Sequence, residues 1–198
     1  MRINPTVAGI CIIVYSITIF AAFNMQKNNP PRNATVTATA ITCHAKDSDV
    51  FPDPSCTPAN TNPAVTQATV ALTICLKGWA TSQRPPVTQT EYEKFKSMKQ
   101  YGDPTTTGQV SLYEFDHMMP IELGGAVNST GNLWPELHKI SLIGFDYGSY
   151  TKDRVENALK RKVCSGILTL AAAQSIVRLN WTQGLKYVPI KRPALPNP

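Results

Sequence analysis

The stretch YEFDHMMPIELGG, Tyr113 to Gly125, sets an aspartate directly beside a histidine and follows them with a proline and two glycines. A carboxylate offers hard oxygen and an imidazole changes charge near neutral pH, so Asp116 and His117 are of the types that acid–base and metal chemistry use. Side chains of neighbouring residues on an ideal strand point to opposite faces. Both can serve one site only if the strand is distorted, and Pro120 with Gly124 and Gly125 marks such an irregularity. Taken alone, the pair fits a buried ion pair or a structural hydrogen bond equally well. The polar residues around it therefore form one group with it: Asn132 in NLWPE and the polar face of a helix running from Lys152 to Lys160.

The elements that must position this group are legible in outline. Ser111 to Leu123 is extended and interrupted at Pro120, GGAVNSTGN is rich in turn formers, and NLW is a short returning strand, which together predict an irregular hairpin. The loop LHKISLIGFDYGSY leads to TKDRVENALKRKVCSG, where Val155, Leu159 and Val163 recur every four residues and Asp153, Glu156, Asn157 and Lys160 fall on another face. Asp153 in the first turn and Lys160, Arg161 and Lys162 in the last suit the helix dipole, and Gly166 ends the helix. A final helix spans about Thr169 to Trp181. Upstream, EYEKFKSMKQYG predicts a helix with Thr90 as its N-cap and Gly102 as its stop. Val65 to Ile74 stays open between helix and strand. The fold class expected is α+β.

The 198 residues allow one main domain, and the net charge of +6 favours a polyanionic partner such as nucleic acid or an acidic membrane surface. Ile3 to Gln26 carries no charge, and Val7 to Phe23 is almost wholly apolar, so residues 1–26 read as a signal or membrane-anchor segment. Residues 27–55, rich in Asn, Pro and Thr, read as a flexible linker, 56–185 as the folded domain and 186–198 as a Pro-rich tail. Behind an export-like segment, Cys43, Cys56, Cys75 and Cys164 form an even set that suggests disulfides in an oxidising space, with three connectivities open. Four free thiols is the other reading. No cysteine or histidine spacing suits a structural zinc site.

DHMMPIELGG followed by NLWPE resembles the HNH endonuclease superfamily. With CTP, NPAVTQATVALTIC, GWATSQRPP, KQYG, KDRVENALKRKVCSG and LAAAQ, the chain is similar to small, exported bacterial HNH-type proteins from about Cys56 to Trp181. The resemblance implies a ββα-metal unit, an irregular hairpin plus a helix, with flanking helices and disulfide support. It implies His117 as the general base that takes a proton from water and Asn132 as the residue that braces the hairpin and orients His117. It implies Asp116 as a ligand of Mg²⁺ or Mn²⁺. Glu136 in WPE matches without a clear role. The helix usually supplies another ligand three residues before a lysine, and that place before Lys152 is Ser149. Asp153, Glu156 and Asn157 are the candidates to replace it. Lys152, Lys160, Arg161 and Lys162 are candidate phosphate contacts, although a solvated helix end explains the last three as well. His138 reads as a surface residue, and Trp134 and Tyr113 as core. The expected function is metal-dependent hydrolysis of phosphodiester bonds in DNA, with RNA as a second substrate class and low sequence preference. A catalytically inactive HNH-like binding module at the cell surface is the rival.

Overall fold

A computed structural model of the protein describes residues 42–189. The expected membrane segment therefore lies outside the described residues, and among those described no helix is long and apolar enough to cross a membrane.

The architecture is mixed α+β. Short helix α1 (Trp79–Gln83) and helix α2 (Val87–Tyr101) precede a one-turn helix α3 (Thr107–Val110). Strand β1 (Tyr113–His117) pairs antiparallel with β2 (Leu133–Leu137), and a second hairpin, β3 (Ile140–Leu142) with β4 (Phe145–Tyr147), leads into α4 (Ser149–Cys164). Helix α5 (Leu170–Asn180) and a tight helical turn at Trp181–Tyr187 close the fold.

Local chemistry explains most boundaries. Pro86 lacks an N–H and precedes α2, so the helix starts at Val87 and Thr90 instead bonds the Val87 carbonyl, which corrects the N-cap expected there. Gly102, at φ 74°, ends that helix as expected. Thr169 caps α5 through its side-chain oxygen, which accepts from the Ala172 N–H. The ambiguous stretch Val65 to Ile74 is neither strand nor full helix but a series of turns around a single helical turn at Val70–Leu72.

The core gathers Ile74, Met98, Met119, Leu123, Trp134, Val155, Leu159, Val177 and Trp181 around the β1–β2 hairpin and α4. Two boundaries move. Residues 42–55, expected as part of the linker, are packed: Val50 is buried, its carbonyl accepts from the Trp181 indole N–H, and Lys46 bridges Phe51. At the other end Tyr187 and Val188, placed in the tail by the sequence, lean on the core.

Two disulfides hold the N-terminal portion. Cys43 joins Cys56, and Cys75 joins Cys164 at the end of α4. This selects one of the three pairings, and it suits an oxidising compartment. A cross-link removes more freedom from the unfolded chain the longer the loop it closes. Removing Cys75–Cys164, 89 residues apart, should therefore cost about 4–5 kcal/mol, against about 3 kcal/mol for Cys43–Cys56, 13 apart. Urea unfolding of the two double Cys→Ala variants checks that order, and equal losses would contradict it.

Candidate active site

The two glycines are explained by the turn that follows β1. Gly124 takes φ 81°, a left-handed conformation that costs a side chain energy. Gly125 has no room at all: a Cβ there would lie 1.7 Å from the Met119 carbonyl oxygen. That close approach lets Asn132, fully buried, lace the loop together. Its Oδ1 accepts from the Met119 N–H at 2.7 Å, while its Nδ2 donates to the carbonyls of Met119 at 2.9 Å and Ala126 at 3.0 Å. Segment Asn60–Asn62 braces the same loop from outside, through Asn62 N–H to Gly124 O and Ala126 N–H to Asn60 O.

His117 ends β1, and its Nε2 lies 2.8 Å from the Val127 carbonyl oxygen. A carbonyl only accepts, so Nε2 carries the proton and donates it, and in the neutral ring Nδ1 is left as a bare acceptor. Burial lowers the pKa of His117 from its ordinary 6.5, with Asp116 and the Val127 bond opposing in part. The neutral, proton-accepting form therefore dominates at pH 7.

Asp116 faces α4, where Lys152 fills the space beneath the hairpin. The Lys152 ammonium, 1% exposed, binds the Asp116 carboxylate, donates to the His117 carbonyl at 2.9 Å and to Glu156 Oε1 at 2.7 Å, and lies 3.5 Å from Glu136 Oε2. One ammonium thus meets three carboxyl groups. Burial acts to raise Asp116, but the Lys152 charge and its hydrogen bond outweigh it and hold the group at about 2. Burial pushes Glu156 up to about 8 and Glu136 well above its usual value. Burial disfavours the Lys152 charge, yet the facing carboxyls raise its pKa well above normal. Both Glu136 oxygens are buried without a hydrogen-bond partner, an environment that favours the neutral carboxyl.

The sequence-based candidates separate accordingly. Lys152 is not a phosphate contact: it is sealed inside, and the polyanion it was expected to meet is replaced by three internal carboxyls. The expected common face of Asp153, Glu156 and Asn157 splits, because Glu156 turns inward with Lys152 four residues before it. Asp153 and Asn157 are exposed, with the Asn157 amide donating to the Asp153 carbonyl. Burial on its inner side, with the charges of Asp116 and Glu114, raises the Asp153 carboxyl to about 6. Lys160 pairs with Glu122 at 3.3 Å, while Arg161 is exposed about two and a half turns beyond Lys152.

Residues that pattern reading missed also gather here. Arg84, exposed before Pro85, lies near enough for its charge to act on both His117 and Asp153. His138 is only half exposed: Nδ1 lies 3.0 Å from Ser149 Oγ and 3.7 Å from Glu114, and the ring stacks on Tyr150 at 4.7 Å. Ser149, standing where a helix ligand was expected, is thus occupied by His138. The one sequence signal for the internal cluster was the four-residue spacing of Lys152 and Glu156.

Among the described residues, no group of three or more His, Cys, Asp or Glu side chains is arranged to hold a metal ion. The carboxylates that would have to hold a cation are Asp116, nearly buried and already bonded to Lys152, and Asp153 on the rim, near enough to feel the Asp116 charge. Such a pair suits an ion that takes one or two carboxylates and completes its shell with water and phosphate, as Mg²⁺ does, and does not suit an all-protein cage. No family model, no curated protein and no solved structure matches this chain.

Proposed function

We propose that the protein is a metal-dependent endonuclease of the HNH, ββα-metal type, hydrolysing phosphodiester bonds with little sequence preference. The observation that carries the reading is the state of His117: neutral at pH 7, its tautomer fixed by the Val127 carbonyl, its Nδ1 bare. A general base needs those three properties together. Asn132 supports the reading because it holds the loop that carries Val127 in place. Asp116 and Asp153 are the residues that would hold Mg²⁺ or Mn²⁺. Bound there, the ion would polarise the phosphate and neutralise charge on the leaving oxygen. Arg84 adds a cation for the phosphate at the same rim, and Arg161 extends the basic surface along α4. DNA is the expected substrate, with RNA alongside it.

A specific observation favours the second reading, a binding module without catalysis. Lys152 already neutralises Asp116 and hydrogen-bonds Glu156, two of the expected metal ligands. The test separates the two. The oxidatively folded protein should nick supercoiled plasmid with Mg²⁺ or Mn²⁺ and not with EDTA. Asp153→Asn should raise the metal concentration needed for half-maximal activity by at least about 10-fold. A folded sample that fails to cut with any metal would overturn the nuclease in favour of the binding module, and an unchanged Asp153→Asn would remove that residue from the metal site.

A further inference from the structure

We propose that the trough between α2 and the β1–β2 hairpin receives an unpaired nucleobase adjoining the scissile phosphate, so that single-stranded nucleic acid is cut in preference to duplex. This rests on the nuclease reading above and names its substrate class. Phe115 stands two residues before His117 on β1, about 7 Å along the strand, and the cross-strand partner of His117 is Leu133. Phe115 and Leu133 both line a cavity of about 290 Å³. Two further links join this cavity to the candidate base. Asn128, on its wall, follows the residue whose carbonyl holds His117, and Pro85, also on its wall, follows Arg84.

The lining has the character that base recognition requires. An aromatic ring and a leucine offer apolar surface, while the Gln89 and Asn128 amides and the Thr130 hydroxyl supply donors and acceptors for a base edge. Lys96 on α2 offers a cation to the adjoining backbone, with Glu93 of the same helix on the same wall. A second lobe of about 240 Å³ shares Phe115, Lys96, Thr130 and Leu133 and continues the trough toward Cys43 and Cys56, which gives room for the next base. Paired bases are stacked inside a duplex and cannot enter. The cavity therefore rewards single strands only, by roughly 10- to 100-fold in kcat/KM if one base is accommodated.

Thr130 and Gln89 are exposed at the trough and stand apart from the catalytic groups, so Thr130→Trp and Gln89→Trp fill the space at little risk to the fold. Cleavage of a short oligodeoxynucleotide is compared with cleavage of its duplex. Binding of the same oligonucleotide, with and without abasic positions, is measured by fluorescence anisotropy in EDTA. The expected result is single-strand preference and base-dependent binding in the wild type, both lost in either tryptophan variant, with duplex nicking retained. Cleavage with the strand preference absent, or untouched by both variants, would overturn the cavity and leave the nuclease standing. Base-dependent binding without cleavage under any metal would support the cavity and overturn the nuclease. Neither binding nor cleavage would overturn both.

Discussion

His117→Ala should lose about 10²- to 10⁴-fold in cleavage rate while nucleic-acid affinity and fold persist, the range a positioned general base contributes. The loss follows from the ring alone. The Val127 carbonyl fixes Nε2 as the protonated nitrogen, and burial keeps the ring neutral, so Nδ1 is the atom that can accept a proton from water. Removing the ring strands the Val127 carbonyl, at a cost of about 1–3 kcal/mol. Asn132 and the Gly124–Gly125 turn hold the loop independently, so the hairpin survives that cost. The pH profile gives a second check. Because the His117 pKa is lowered, the base-competent form is lost only as pH falls below that depressed value, and the acid limb of kcat/KM should lie below 6.5. An acid limb above 6.5, or full activity in His117→Ala, would remove His117 from the mechanism. Both are read from initial rates of plasmid nicking across pH, with circular dichroism as the control for folding.

Lys152→Met should destabilise the protein by roughly 3–5 kcal/mol at neutral pH, because it leaves buried carboxyls without the charge that balances them. The methionine fills most of the volume, so the loss reports charge and not a cavity. The pH dependence carries a definite sign. Asp116 has a folded pKa lowered to about 2, so its contribution is present above 3.8 and fades as pH falls toward 2. Lys152 has a folded pKa raised above 10.5, so its contribution is complete below 10.5 and is lost as pH rises through the raised value. Between those limits the pair stabilises the fold, and there the variant suffers most. Acidification toward pH 2 should close the gap between variant and wild type, since Asp116 protonated there no longer needs a cation. Adding Asp116→Asn and Glu156→Gln to Lys152→Met should restore much of the loss, since the triple variant holds no unpaired charge. Urea unfolding at pH 2.5 and pH 7 reads all three. A single variant that loses nothing at pH 7 would mean that the carboxyls are already neutral and Lys152 is dispensable.

The internal ion cluster also bears on why the hairpin and α4 sit as they do. Lys152 reaches the side chain of Asp116, the backbone of His117 and the carboxyl of Glu156, so one residue ties the end of β1 to the helix. Lys94 makes a comparable link on the opposite side, with its ammonium donating to the Tyr113 carbonyl at 2.7 Å and joining α2 to the start of β1. Two buried lysines therefore fix both ends of the strand that carries the candidate base.

The sequence by itself determined what depends on near neighbours. The Gly102 stop, the apolar stripe of α4 and the turn formers between β1 and β2 act within a few residues, so their meaning is written in local order. That Asn132 lies close to the end of β1 was legible for a related reason: the hairpin sets His117 opposite Leu133, the residue after Asn132, once its turn is recognised. Only the tertiary structure decided the partners of side chains that meet over long separations. Lys152 looked like an exposed cation because a helix shows its periodicity but not which neighbour fills each face, and three carboxyls from two strands and its own helix claimed it. The β3–β4 hairpin hid in a fourteen-residue loop because its strands are three residues each, too short for alternation to register. Residues 42–55 looked like linker because composition alone cannot reveal that one disulfide, with Val50 against Trp181, offsets the entropy of ordering them. Disulfide pairing is the clearest case, since Cys75 and Cys164 approach only after α4 has packed, and no spacing along the chain encodes that distance.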